Sequence, residues 1–195
     1  ANNTHCAGGN NRGVDLNRNF PFVWGEYNGS SGSACAETFR GPSANSEPET
    51  QAIVQHTRSI YPDRRGPALT DAAPDDTRGL FIDVHSYSQL VLWPWGFIQT
   101  RAPNATALEA LGRRLAGFNG YTAQASVGLY PTDGTTDDFA YGELGVASYA
   151  MELGTAFFQS CNDFENQVLG PNRALLRYAA RVLRAVVRNP RAAER

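Results

Sequence analysis

The segment LFIDVHSYSQLVLWPWG, residues 80–96, holds two apolar runs that flank a short polar bend. Four residues of the first run are apolar and β-prone, which is typical of a buried strand, namely Leu80, Phe81, Ile82 and Val84; residues 90–93 form a second apolar run. His85 stands at the end of the first run. An imidazole in that place raises the question of whether it binds a metal ion, and of where the other ligands lie.

Strands and helices alternate along the rest of the chain. Residues 1–45 are dense in Gly, Asn and Ser, and residues 63–76 form a Pro-rich, charged loop that we expect to be exposed. The apolar periodicity predicts a helix after Ser46, helices in residues 104–120 and 171–187, a helical turn at 135–142, and strands at 121–127 and 146–153. The last strand is nearly all apolar, which predicts a central position. This order favours an α/β layered domain around a mostly parallel or mixed sheet.

The composition indicates one domain, residues 1–195. With 42% hydrophobic and 11% aromatic residues, the chain can bury a core, and neither disorder nor a fibre is indicated. No apolar run approaches the roughly 18 residues of a membrane span, and the opening ANNTHCAGGNN is too polar for a signal peptide. A formal net charge of −2 gives no reason to expect nucleic acid. We predict neither a nucleic-acid nor a membrane partner.

The three cysteines are Cys6, Cys35 and Cys161, so at least one is free or pairs outside the chain. Cys6 and Cys35 stand in Gly-, Asn- and Ser-rich segments, which suits a disulfide in an exported protein. Two unrelated thiols are the alternative. The pattern predicts a secreted or extracellular location.

Glu152 closes the apolar strand at residues 146–153. A carboxylate there is costly unless it is paired, protonated or near a metal ion. With a raised pKa it is a candidate general base, and an ion pair with one of the many Arg residues is the alternative. His85 and Glu152 both fall at carboxyl ends of predicted strands, where the chemistry of α/β sheets gathers.

Two further motifs concentrate polar groups. GVDLNRNF, residues 13–20, crowds Asp15, Asn17 and Arg18 among apolar residues and offers donors for a carboxylate, although an ordinary turn fits as well. In YPTDGTTDD, residues 130–138, Tyr130 lies in a turn-rich loop. The acids Asp137 and Asp138 near the start of a helix are candidate site residues or simply partners of the helix dipole.

Together these motifs resemble one family. GVDLNRNF, GPSANSEPET, DVHSYSQLVLWPWG and LYPTDGTTDDFAYGELGVASYAMELG closely resemble the zinc metallocarboxypeptidases, which include pancreatic carboxypeptidases A and B and secreted bacterial relatives. The resemblance runs from about Cys6 to the end, and it includes the spacing from Tyr130 to Glu152. It implies a mixed-sheet α/β layered domain and a zinc-dependent enzyme that removes C-terminal residues from peptides.

The resemblance also implies a role for each motif residue. His85 is then a zinc ligand, and Glu152 is the general base that activates the zinc-bound water and passes a proton to the leaving amine. Asn17 and Arg18 bind the terminal carboxylate of the substrate. Tyr130 closes over the substrate on its loop.

Three more residues receive roles from the same resemblance. Asp15 orients a zinc-binding His, and Tyr87 lines the subsite next to the scissile bond. Asp137 lies where the family reads the C-terminal side chain, and an acid there resembles the B type, which prefers Lys or Arg. Cis peptide bonds are implied at Ser86–Tyr87, Pro94–Trp95 and Gly154–Thr155.

The zinc ligands depart from the family pattern. Catalytic zinc takes three protein ligands, and the family's first two come from a His-x-x-Glu motif, yet none of His5, His56 and His85 has Glu three residues later. We predict an N-terminally incomplete domain with an open apolar sheet edge, whose partner is the missing N-terminal part and whose isolated chain is inactive. The alternative is a non-catalytic module that binds peptide C-termini. Related acylases and deacylases of similar fold are a third class, which the Tyr130 loop and GPSANSEPET fit less well.

Overall fold

The computed structural model of the chain describes residue 6 and residues 13–182, and its helices and strands alternate as the sequence predicts. In chain order the elements are a 3₁₀ helix (Leu16–Arg18), α1 (Pro48–Ile60), β1 (Leu80–His85), β2 (Leu90–Trp93), α2 (Ala105–Asn119), β3 (Thr122–Ala125), a second 3₁₀ helix (Ser126–Gly128), α3 (Thr136–Leu144), β4 (Ala147–Glu152), α4 (Cys161–Asp163), a π-helical segment (Phe164–Leu169) and α5 (Gly170–Val182).

The four strands form one mixed sheet in the order β1-β4-β2-β3. β1 runs parallel to β4 and β2 runs parallel to β3, whereas β2 and β4 are antiparallel. β4 is central, as its apolar sequence predicts, because it has a strand neighbour on each side. The mixed sheet with its helices confirms the predicted α/β fold class.

β1 is an edge strand of the described sheet, and the prediction that it is buried is wrong. Five of its residues are half-buried, and Val84 is 51% exposed. The physical reason is that only β4 covers an edge of β1 within the part of the chain that the structure describes. This arrangement agrees with the predicted open apolar edge, which is a feature that promotes association with other chains.

The main core lies between the sheet and the helices α2 and α5. Leu108, Leu111 and Leu115 of α2 and Leu175 of α5 pack with buried residues of β2 and β4. Side chains alternate along a strand, so Tyr149 and Met151 of β4 face this core while Ala150 and Glu152 face the other side. The candidate site lies on that other side of the sheet.

Arg65 contradicts the expectation that residues 63–76 form an exposed loop. Its side chain is buried, and its guanidinium donates to the carbonyls of Gly142 and Ala68 at 2.5 Å and 2.7 Å. The same group lies over the rings of Trp95 and Tyr141. The loop is therefore anchored on the core, because a buried cation needs such partners.

The disulfide between Cys6 and Cys35 is present, with the two Cα atoms 5.1 Å apart, as predicted. Cys161 is an exposed free thiol.

Within the described ranges, each helix is too short or too polar to cross a bilayer.

The chain leaves regular strand geometry directly after β1, β2 and β3. β3 ends at Ala125, earlier than predicted, because the second 3₁₀ helix takes over the next three residues. The Ser86–Tyr87 and Pro94–Trp95 peptide bonds are cis, as the resemblance implies. The Gly154–Thr155 bond is not cis, so that part of the expectation is wrong.

Candidate active site

The carboxyl ends of β1 and β4 bring two predicted residues side by side, since His85 and Glu152 are register partners. A small pocket beside them encloses about 50 Å³, room for a few water molecules. Its lining includes six of the predicted site residues, namely Asn17, Arg18, His85, Tyr130, Asp137 and Glu152. Residues from four separate parts of the sequence therefore meet in one place.

The first 3₁₀ helix presents amide and guanidinium groups to this pocket. Asp15 caps the helix, because its Oδ1 accepts a hydrogen bond from the backbone N–H of Asn17 at 3.1 Å. Arg18 is buried; its Nη1 donates to the Asn17 carbonyl at 2.7 Å, and its Nε has no hydrogen-bond partner. A buried guanidinium with an unpaired N–H suits an anionic ligand. Asn17 and Arg18 of this helix, together called the cradle below, therefore lie at the pocket wall, and their role in carboxylate binding stays a prediction.

Asn17 connects this cradle to two other elements. Its Oδ1 accepts a hydrogen bond from the Thr136 amide at 2.9 Å, and its Nδ2 lies 3.5 Å from His85 Nε2. Asp15 also lies 4.0 Å from Arg18 Nε. Its predicted role, to orient a zinc-binding His, stays a prediction, because these contacts within the described ranges involve only its own helix.

Asp83 is a site residue that the sequence reasoning missed. Its Oδ2 lies 2.8 Å from His85 Nε2, and the hydroxyl of Thr136 donates to the same carboxylate oxygen. The available signal was spacing, since residues two apart on a strand point to the same face. Asp83 therefore engages Nε2 of His85, and a metal ion at His85 has to bind Nδ1 or displace this carboxylate.

The pairing shifts both pKa values. The hydrogen bond with Asp83 raises the pKa of His85; burial opposes the rise, and the nearby carboxylates add to it. Burial pushes the pKa of Asp83 upward, but the hydrogen bond and charge of His85 and the bond from Thr136 outweigh it, so this pKa lies below its usual value. The two groups therefore favour an ion pair, and a metal ion at His85 competes with its proton.

Glu152 is half-buried at the end of β4. Burial raises the pKa of its carboxyl group, the charge of His85 opposes this rise, and the charge of Asp83 adds to it. Arg18 lines the same pocket, but no ion pair between Glu152 and an Arg occurs among the described residues. A carboxyl group with a raised pKa at a pocket wall has the properties of a candidate general base.

Two buried acids of α3 have different partners. Asp137 lines the pocket and accepts a hydrogen bond from Ser126 Oγ at 2.8 Å. Asp138 accepts from the Gly96 amide at 3.0 Å, so it holds the segment after β2. Burial, followed by the charge of Asp137, raises the pKa of Asp138 well above its usual value. Asp138 therefore does more than interact with the helix dipole, because it also binds the backbone of the segment after β2.

The two predicted tyrosines lie in different surroundings. Tyr130 is 52% exposed on the loop that borders the pocket. Tyr87 does not line that pocket, and its ring meets the Phe157 ring edge-on with centroids 4.8 Å apart. Phe157 belongs to a second surface, the aromatic groove, a depression of about 720 Å³ that is also lined by Val84, Phe158, Cys161 and Phe164. His85 lines both the pocket and the groove.

The described residues do not form a zinc site by themselves. Catalytic zinc takes three protein ligands and a water molecule, yet no group of three His, Cys, Asp or Glu side chains in residues 6 and 13–182 is arranged to hold a metal ion. His56 lies on α1 and does not line the pocket, and His5 falls outside the described residues. His85 is the one predicted ligand that the described structure places at the pocket.

Comparison with known proteins identifies the family, because residues 2–168 match the zinc carboxypeptidases. The chain belongs to this family. It is 34% identical to a metallocarboxypeptidase A-like protein of Trichophyton verrucosum and 30% identical to carboxypeptidase B of Bos taurus. These alignments cover 72% and 75% of the chain but 32% and 33% of the relatives. The chain therefore spans about a third of the length of these curated relatives.

Solved structures agree with this assignment. The fold matches carboxypeptidase A from Helicoverpa armigera with a TM-score of 0.73 and 26% identity, over 93% of this chain and 44% of that one. It matches thrombin activatable fibrinolysis inhibitor with a TM-score of 0.71 and 26% identity, over 91% and 43%. The described sheet is thus a carboxypeptidase-like fold that corresponds to part of those chains.

Proposed function

We propose that this chain forms the substrate-binding and general-base part of a zinc-dependent metallocarboxypeptidase, which removes C-terminal residues from peptides or proteins. The observation that carries the proposal is the convergence of Asn17, Arg18, Tyr130 and Glu152 with His85 around one pocket. Each offers a group that this hydrolysis requires, and they come from distant parts of the sequence. Family membership supports the reaction class.

The cradle binds the terminal carboxylate. Arg18 offers a buried guanidinium whose Nε makes no hydrogen bond, although Asp15 Oδ2 lies 4.0 Å away, and Asn17 offers a side-chain amide N–H group. An Arg fork matches two carboxylate oxygens, which gives both affinity and orientation. A peptide with a free C-terminus is therefore favoured over an amidated one.

Glu152 acts as the general base. Burial raises the pKa of the Glu152 carboxyl group toward the pH at which the enzyme works. A group with such a pKa can both accept and return a proton during the reaction. Glu152 takes a proton from the attacking water and passes it to the amine nitrogen that leaves. Tyr130, on its exposed loop, covers the bound substrate and donates a hydrogen bond to it.

His85 contributes one zinc ligand, and the other two come from an N-terminal part of the domain that these 195 residues do not contain. Two facts support this assignment: the chain covers about a third of its relatives, and none of its three His residues begins a His-x-x-Glu motif. A zinc ion supplies Lewis-acid activation of water and carbonyl groups. The isolated chain is accordingly inactive as a peptidase, and its partner is that N-terminal part.

Asp137 favours basic C-terminal residues. Its carboxylate is buried at the pocket wall, where a charge is screened less than in water. Ser126 holds one carboxylate oxygen and thereby orients the group.

A non-catalytic module that binds peptide C-termini is the second candidate. The absence of a three-ligand group among the described residues favours it. In that case Arg18 and Asn17 keep their function while Glu152 has none. For either candidate we propose a secreted or extracellular location, which the Cys6–Cys35 disulfide supports.

Replacement of the general base tests the proposal. The complete polypeptide is this chain joined to the proposed N-terminal part. In it, Glu152→Gln should lower the kcat for peptides with a free C-terminus by about 10²–10⁴-fold, with little change in peptide affinity. Glu143→Gln is the matched control, because Glu143 lies on α3 and pairs with Arg58 at the surface. Full activity of Glu152→Gln would contradict the catalytic proposal. Retained affinity with no hydrolysis by the unsubstituted polypeptide would favour the binding module.

A further inference from the structure

The Tyr130 loop, residues 129–135, divides sharply into an exposed and a buried part. Residues 128–131 are exposed, and Tyr130 itself is 52% exposed. From Asp133 onward, ten consecutive residues, 133–142, are buried. The exposed tip that carries Tyr130 is therefore attached directly to a buried segment.

Asp133 fastens that buried segment to the loop at residues 27–30. Its side chain is 0% exposed. Its Oδ2 accepts hydrogen bonds from the Tyr27 amide at 3.1 Å and the Gly29 amide at 3.0 Å. The Ser30 hydroxyl donates to its Oδ1. Loss of this carboxyl group leaves three donors without their acceptor, so the tether is strong.

The backbones of the two loops are also in direct contact. A Cβ atom on Gly29 would lie 2.3 Å from the Thr132 carbonyl carbon and 2.4 Å from the Asp133 nitrogen. Residues on both sides of Asp133 are bonded to further segments, since Thr132 N donates to the Gly96 carbonyl at 2.8 Å and Phe20 N donates to the Gly134 carbonyl at 2.9 Å. Displacement of the buried part therefore breaks several contacts at once, whereas the backbone hydrogen bond at the tip, from Leu129 N to the Ser126 carbonyl at 3.0 Å, stays within the adjoining 3₁₀ turn.

We propose that Asp133 is a positioning residue for Tyr130. It fixes the carboxyl-terminal end of the Tyr130 loop, so that motion is confined to the tip at residues 129–131 and the phenol returns to the same place over the pocket. This inference rests on the proposed role of Tyr130, but it concerns a residue that does not line the pocket.

A double-mutant cycle in the complete polypeptide tests this proposal. Asp133→Ala should lower kcat/KM by roughly ten- to a hundredfold, the cost of a misplaced group. In the Tyr130→Phe background, the same change should lower kcat/KM by no more than about twofold, because the phenol it positions is already absent. Asp133→Asn should restore most of the activity, since its amide oxygen accepts both backbone N–H groups.

Asp71→Ala is the matched control. Asp71 accepts a hydrogen bond from the Ala68 amide in another loop, and its removal should leave kcat/KM unchanged. An equal loss from Asp133→Ala in both backgrounds, or no loss in either, would overturn the proposal.

Hydrogen–deuterium exchange separates this inference from the proposed function. In the same polypeptide, Asp133→Ala should speed amide exchange in residues 129–135, and Asp133→Asn should not. If the unsubstituted polypeptide hydrolyses nothing, the proposed function fails while exchange still decides whether Asp133 restrains the loop. Should Asp133→Ala not fold, Gly29→Ala forces the same two backbones apart and should give the same pattern. Unchanged exchange in both variants would refute the inference.

Discussion

The pocket and the aromatic groove meet at His85, yet they are built in opposite ways. On the pocket side, the charged and amide groups are buried or half-buried, and several are hydrogen-bonded, as with Asp137 and Ser126. On the groove side, Phe157 and Phe158 are 70% and 95% exposed. Contiguous exposed apolar surface is a common feature of interaction sites. The two sides of His85 therefore differ in how completely the described residues cover them.

The largest difference between the two regions should appear in stability. Phe139 is fully buried beside the pocket elements, so Phe139→Ala should cost about 3–5 kcal/mol of unfolding free energy. Phe158→Ala, in the groove, should change the stability of the isolated chain by less than about 0.5 kcal/mol. Denaturant melts of both variants check this pair. A cost for Phe158→Ala in the complete polypeptide but not in the isolated chain would sharpen the comparison, because it indicates that the groove is covered there.

The cradle should respond to the loss of the Arg fork. Arg18→Lys keeps the charge but loses bidentate geometry, so the KM for peptides with a free C-terminus should rise about ten- to a hundredfold. Steady-state kinetics on the complete polypeptide measure this, with Arg113→Lys as the control because Arg113 pairs with Glu109 on the surface of α2. Equal KM values for the two variants would remove Arg18 from carboxylate binding.

A smaller effect is expected on substrate choice. Asp137→Asn should lower the ratio of kcat/KM for C-terminal Arg over Phe by roughly tenfold, because a charged hydrogen bond becomes a neutral one. Paired peptides that differ only in the last residue provide the measurement. A preference for Phe in the unsubstituted enzyme would contradict the proposed basic preference outright.

The smallest expected effect is a pH dependence of stability. The pKa of Asp138 in the folded state lies well above its unfolded value, chiefly through burial and then through the charge of Asp137. The folded chain therefore holds a proton that the unfolded chain releases, and stability falls as the pH rises from the unfolded pKa of about 3.9 toward the folded one. Asp138→Asn, which cannot ionise, should show a flatter profile over that range. Denaturant midpoints between pH 4 and 7 should therefore diverge as the pH rises, and parallel profiles would contradict this account.

Local pattern predicted the elements that support the site. The apolar run of β4 predicted its central position, and strand ends predicted the neighbourhood of His85 and Glu152. The polar crowding in GVDLNRNF predicted the cradle with Arg18. These features depend on residues close together in sequence, which is why a single sequence reveals them.

Other features depend on which segments meet in space. β1 has the composition of a buried strand, but burial requires a neighbour on both edges, and only β4 covers one in the described sheet. Asp83 pairs with His85 because residues two apart on a strand point to the same face, a signal that the sequence contains. Arg65 lies in a Pro-rich charged segment whose composition predicts exposure, and the rings of Trp95 and Tyr141 that receive it are distant in sequence.

The central claim is that these residues complete the substrate pocket but supply one metal ligand to it. Zinc stoichiometry tests this claim most directly. Zinc per chain is measured after equilibrium dialysis of the 195-residue chain and of the complete polypeptide, each with and without His85→Ala. The account predicts one zinc ion in the complete polypeptide, its loss with His85→Ala, and far less than one in the 195-residue chain. One tightly bound zinc ion in the 195-residue chain, removed by His85→Ala, would contradict it.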